Sequence, residues 1–139
     1  MALPYLACML ATAQFYHLPP RALPAIHAVE GGFPGAIHPN KNGTDDLGVM
    51  QINTAWVQPL TRYISAVTHR PMSGAETYRR LVNDACFNVA AAGLILRTEW
   101  QQGGRDWLTA VGNYHSHTPL LHQIYLAKVT AQARVLFGG

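Results

Sequence analysis

A single all-α domain, with at most a minimal β-hairpin, is what this sequence predicts, and three observations carry that reading. Candidate helical segments take up most of the chain, strand signals are nearly absent, and proline and glycine stand where the segments begin and end. The length, 139 residues, falls within the usual size of one domain built around one core.

The first candidate helix runs from Leu3 to Tyr16. The second runs from Pro20 to Glu30, opened by Pro19-Pro20 and closed by Gly31-Gly32. From Gly31 to Asp46 the chain is rich in Gly, Pro, Asn and Asp, which predicts either a loop or a very short hairpin around Asn42-Gly43. Further helices are expected over Thr54 to Ala66, Gly74 to Leu81, Ala85 to Gln102, Arg105 to His115 and Pro119 to Phe137. Gly103-Gly104 ends one of these and Pro119 opens the last.

Composition narrows the function classes. The chain is 49% hydrophobic and 12% charged, too apolar for a disordered tail, yet no uninterrupted apolar run is long enough to span a bilayer. Ten basic residues stand against seven acidic ones, scattered from Arg21 to Arg134 without forming a block. Weak attraction to a polyanion is compatible with this, and dedicated nucleic-acid binding is not indicated. The stretch Ala2 to Ala13 is apolar like part of a secretion leader, but it has no basic residue ahead of its apolar portion and Pro4 interrupts it. It reads as folded chain, with Met1 added after a leader was removed. Cys8 and Cys86 have no metal-type spacing. In an exported protein they pair, at a gain of roughly 3 to 5 kcal/mol in the chain-entropy model; the alternative is two buried free thiols.

Three places carry chemistry. In the second helix Leu23, Ile26 and Glu30 share a face, so the carboxylate lies on the apolar stripe and points inward or into a cleft. Partial desolvation there raises a carboxyl pKa and suits a general acid; the bland alternative is a helix-ending Glu paired with an arginine. The run from Asp46 to Asn53 combines Gly48, which allows close approach of backbone or ligand, with Gln51 and Asn53, whose amides both donate and accept. Gly112 to Ser116 closes a helix in which Trp107, Val111 and Tyr114 share a face, and the phenol is expected to reach a buried carboxylate.

The order Val29-Glu30-Gly31-Gly32, then Gly48-Val49-Met50-Gln51-Ile52-Asn53, then Asn88 in a small-residue helix, then Tyr114-His115-Ser116, resembles the lytic transglycosylases with a lysozyme-like fold. The ending Tyr114-His115-Ser116 followed by Thr118-Pro119 is similar to the specialised members that accompany type IV secretion, conjugation and pilus assembly. The resemblance covers nearly the whole chain. It implies a soluble lytic transglycosylase catalytic domain over residues 1–139, exported to the periplasm or secreted, that cuts glycan strands of peptidoglycan beside a secretion or pilus machine. It also implies that Glu30 is the single catalytic acid and base, with Gly48, Met50, Gln51 and Asn53 beside the reacting sugar, Tyr114 hydrogen-bonded to Glu30, and His115 on the far wall. For Met50 and Tyr114 core packing is the alternative. No metal or organic cofactor is implied.

Two departures are visible: Gly31 stands where many relatives have Ser, and His115 where many have Asn. The first is expected to weaken a contact to the catalytic carboxylate and leave the enzyme slow until a partner orders its cleft. Asp45 and Asp46 are the candidates for a second acid in a lysozyme-type hydrolysis, against a plainer role as turn or cap residues. His115, His117 and His122 lie close in sequence, as does His27 to Glu30, but form no metal-binding pattern. From other classes, a cleft-bearing scaffold that has lost activity leaves the presence of Glu30 without purpose, and a disulfide-bonded toxin or inhibitor leaves Gly48 to Asn53 unexplained.

Overall fold

The computed structural model describes residues 3–138. Met1, expected to have been added after removal of a leader, lies outside the described residues, as does Ala2; from Leu6 the apolar N-terminal stretch is helix. Among the described residues, seven α-helices accompany a three-stranded antiparallel sheet. They are α1 (Leu6–Tyr16), α2 (Ala22–Glu30), α3 (Val57–Thr68), α4 (Gly74–Asn83), α5 (Ala85–Gln102), α6 (Trp107–His115) and α7 (Pro119–Phe137), with β1 (Ile37–Pro39), β2 (Asp45–Leu47) and β3 (Ile52–Asn53) between α2 and α3. A helical domain with a small sheet is the lysozyme-like class expected from the sequence.

Helix α5 is the axis. It has buried residues all round its length, from Asn88 and Val89 through Ala91, Ala92, Ile95 and Leu96 to Glu99, and packs against α1, α2, α4 and α6. Its small residues make this possible: a methyl group added at Gly93 would run into Thr12 of α1. Asp84 caps α5 by accepting from the Phe87 amide, and Cys86 in its first turn is disulfide-bonded to Cys8 of α1, with Cα atoms 5.4 Å apart.

The helix ends differ from expectation for local reasons. The chain enters α1 through Tyr5 in a left-handed conformation, so the helix starts at Leu6 and not Leu3. Pro19-Pro20 lie in the turn before α2. Asp106 accepts from the Leu108 amide, moving the start of α6 to Trp107. The segment expected as one helix from Thr54 begins as a 3-10 turn over Thr54–Trp56, capped by Asn53, before α3 takes over.

The Gly-rich stretch is a hairpin. Ile37 pairs with Leu47 and Pro39 with Asp45, while Asn42 accepts from the amide and hydroxyl of Thr44 across the turn. Asp45 and Asp46 are therefore strand residues of β2, not turn or cap residues: Asp46 faces His38 on one side and Asn53 of β3 on the other. The third strand has two residues, too few for any alternation to show in sequence.

Candidate active site

Glu30 is the last residue of α2, below Leu23 and Ile26, which are buried on the same stripe. The helix stops there because Gly31 turns into the left-handed region, φ 67°, with its amide donating to the His27 carbonyl. A side chain at position 31 would meet no atom within 4 Å, so this glycine serves the backbone turn and not packing. Gly32 is different. A Cβ there would collide with the carbonyls of Gly48 and Val49, and only a glycine lets the Gly48 to Gln51 turn lie against the end of α2.

That turn is fixed from behind by Asn88, which is fully buried. Its amide oxygen accepts from the Met50 amide, and its nitrogen donates to the carbonyls of Leu47 and Leu81, all at 2.8 Å. Gly48, φ 68°, has no room for a side chain because Asn88 and the Leu81 carbonyl press against it. The resulting cleft has a volume of about 870 Å³, toward the upper end for ligand clefts. Asn40, Lys41 and Asn42 of the hairpin turn line it, as do Asp46, Gln51 and Asn53 of the sheet region, Trp56 and Pro59, and Glu30. Ile95 and Glu99 of α5 and the segment from Asn113 to His117 complete it.

The Glu30 carboxyl receives its hydrogen bond from α7: the Tyr125 hydroxyl donates to Oε2 at 2.7 Å. Burial pushes the Glu30 pKa up, the Tyr125 hydrogen bond pulls it part of the way back, and the charge of Asp46 adds a further push, leaving it at about 7 against an ordinary 4.5. Burial raises both Tyr114 and Tyr125 well above the ordinary phenol range, so both remain protonated donors. His115 stacks on Tyr125, ring centroids 4.7 Å apart, and burial lowers its pKa. No arginine pairs with Glu30 among the described residues. The group is thus a carboxylic acid poised to give and regain a proton near neutrality.

Gln51, Asn53 and His115 line the cleft with Glu30, as the sequence suggested. Three expectations need correction. Met50 is fully buried in the core and faces no cleft; it contributes only backbone groups, its amide to Asn88 and its carbonyl to Tyr114. Gly48 is likewise turned toward Leu81 and Asn88, because its missing side chain makes room for protein and not for ligand. Tyr114 lines the cleft, but its hydroxyl donates to the Met50 carbonyl at 3.0 Å and not to Glu30. Tyr125 holds that place. It went unnoticed because nothing local marks it beyond the buried stripe it shares with Val129, and its reach to Glu30 arises only where α2 packs on α7. Asn53 donates to Asp46 Oδ1 at 3.1 Å and to the Thr44 hydroxyl at 2.8 Å, which makes it a brace for the second carboxylate of the cleft. The clustered histidines have separate partners, His117 on Glu99 and His122 on Asn113, and no group of three or more metal-binding side chains converges among the described residues.

Residues 7–121 match the model of the transglycosylase SLT domain. The chain is 32% identical over 112 residues to protein IpgF of Shigella flexneri, covering 80% of this chain and 66% of that protein. It is 31% identical over 112 residues to invasion protein IagB of Salmonella typhimurium strain SL1344, covering 80% and 62%. The chain thus spans just under two thirds of the length of these relatives.

Proposed function

The chain belongs to the transglycosylase SLT domain family, and from that premise we propose that it is a peptidoglycan lytic transglycosylase, working as a single catalytic domain with Glu30 as its acid and base. The observation that carries the reading is a partly desolvated carboxyl with a pKa of about 7, hydrogen-bonded by Tyr125 in a cleft lined with amide and hydroxyl groups. Protonated Glu30 gives its proton to the oxygen joining N-acetylmuramic acid to N-acetylglucosamine, and the C1–O bond breaks. The carboxylate, held by Tyr125, then takes the proton of the muramoyl 6-hydroxyl as O6 bonds to C1, closing a 1,6-anhydro ring without water. The acetamido group of the sugar stabilises the positive charge at C1 in between. Gln51, Asn53 and His115 contact the sugars; Met50 and Gly48 act through the backbone they shape. The disulfide between Cys8 and Cys86 suits a periplasmic or secreted location, and the Tyr114-His115-Ser116 ending supports local opening of the wall for a secretion, conjugation or pilus machine, whose proteins would be its partners.

The test is the mass of the soluble muropeptides released from purified peptidoglycan. Anhydro products, one water lighter than reducing-end products, support the proposal. A second reading has its own observation: Asp46 lines the same cleft, is braced by Asn53, and raises the pKa of Glu30. With Asp46 as the second carboxylate and water as nucleophile the protein is a lysozyme-type muramidase, and reducing-end products are the outcome that selects it.

The reaction starts from protonated Glu30, so its rate falls as pH rises through about 7 and is roughly tenfold lower at pH 8 than at pH 6. A flat profile over that range contradicts the assignment of Glu30 as acid. In Tyr125→Phe the hydrogen bond favouring the carboxylate is lost, so the Glu30 pKa moves further up. The alkaline limb is expected to shift about one unit higher, with turnover roughly tenfold lower at its optimum; an unshifted limb means the phenol does not govern the titration of Glu30.

A further inference from the structure

We infer that Glu99 is a specificity residue of the cleft: a second buried carboxylate that accepts an N–H donor of the substrate, with His117 holding its place in the free enzyme. The inference rests on the glycan-cleaving function proposed above. Glu99 lies on α5, is only 6% exposed, and lines the same cleft as Glu30. Its charged partner among the described residues is His117, whose Nε2 sits 3.0 Å from Oε1 and 3.1 Å from Oε2. The single Nε2 lies near both oxygens but its hydrogen bond goes to Oε2, so Oε1 has no hydrogen bond although it is shut off from solvent. A carboxylate offers about four acceptor sites, and leaving them unfilled in a buried position is costly.

The partner is weakly moored. His117 has a side chain 66% exposed and stands in the short connection between α6 and α7. The His117 side chain has solvent to move into, so a substrate group that brings its own N–H exchanges with it and completes the shell of Glu99. An acceptor-only group selects donors. Peptidoglycan offers N–H donors from two sources, the acetamido groups of the sugars and the stem peptides, with their amide N–H groups and the ammonium group of a diamino acid.

The experiment uses the catalytically silenced Glu30→Gln protein and titration calorimetry with two probes, a GlcNAc–MurNAc tetrasaccharide bearing peptide stems and the same tetrasaccharide with its stems removed. In that background Glu99→Ala is expected to weaken binding about tenfold. His117→Ala, which takes away a largely exposed side chain, is expected to tighten it about threefold by removing the competitor. Equal effects on both probes assign the donor to the acetamido groups; effects confined to the peptide-bearing probe assign it to the stem peptide. Binding that stays unchanged or weakens in His117→Ala overturns the inference, whether or not Glu99→Ala folds. If neither probe binds the Glu30→Gln protein, the glycan-cleaving reading falls and this inference falls with it, whereas probe binding that ignores both substitutions overturns this inference alone.

Discussion

Glu30→Gln is expected to lose turnover by about three orders of magnitude, the usual scale for removing a general acid and base, and at the same time to be more stable than the parent protein above neutral pH. The two effects have one origin. The Glu30 pKa is about 7 in the folded chain against an ordinary 4.5, because burial disfavours the ionised form more than the Tyr125 hydrogen bond favours it. Below the ordinary value both folded and unfolded chains hold the proton. Between the two values the unfolded chain gives it up while the folded chain keeps it, so stability is lost as pH rises and the loss is complete once the folded carboxyl ionises. A glutamine carries no such proton and retains an oxygen to accept from Tyr125. The parent therefore falls behind the variant across that window, by on the order of 2 to 3 kcal/mol above it. Denaturant melts of both proteins at pH 4 and pH 8, beside turnover on peptidoglycan, read both effects. Retained turnover would move the acid to Asp46 or Glu99, and a stability difference independent of pH would mean that Glu30 is not desolvated.

Asn88→Ala is expected to destabilise the protein by roughly 3 to 5 kcal/mol and to take the activity with it. Asn88 is 0% exposed, and its removal leaves the Met50 amide and the carbonyls of Leu47 and Leu81 without partners while opening a cavity behind the Gly48 to Gln51 turn. Asn88→Asp is no rescue: it turns a charged oxygen toward two carbonyls in a buried site. The urea midpoint measures the effect. A loss below about 1 kcal/mol would mean that the turn is held by its own backbone, and the assignment of Asn88 as its anchor would be wrong.

Much of this was readable from local signals. The apolar spacing of Leu23 and Ile26 ahead of Glu30, followed by Gly31-Gly32, marks a helix that carries an acid to its own end, and the structure keeps that arrangement. Ala85 to Gln102 and Pro119 to Phe137 are helices over those same bounds, because an Asp cap and an N-terminal proline announce the starts. Asn42-Gly43 marks the hairpin turn that walls the cleft. All of these depend on residues within a few positions of one another, where backbone conformation and hydrogen-bonding capacity are set by residue type.

The partners of the site were not readable. The sequence pointed to Tyr114 as the donor to Glu30, yet α6 places that hydroxyl on the Met50 carbonyl, and Tyr125, 95 positions from Glu30, makes the bond. Gly48 and Met50 stood in the motif beside Gln51 and Asn53, but the turn buries Gly48, Val49 and Met50 in succession and leaves Gln51 and Asn53 to line the cleft. Nothing in the sequence distinguishes Glu99 from any other polar residue near the end of a helix, and its burial comes from the packing of α5. Sequence by itself thus determined the class of fold, the glutamate at the end of α2 and the backbone turn beside it, since short-range sterics and apolar periodicity specify each. Which phenol bonds Glu30, which glycine makes room for protein, and which further carboxylate is buried in the cleft were decided only by packing between elements distant along the chain, because desolvation and hydrogen-bond partnership belong to neighbours in space.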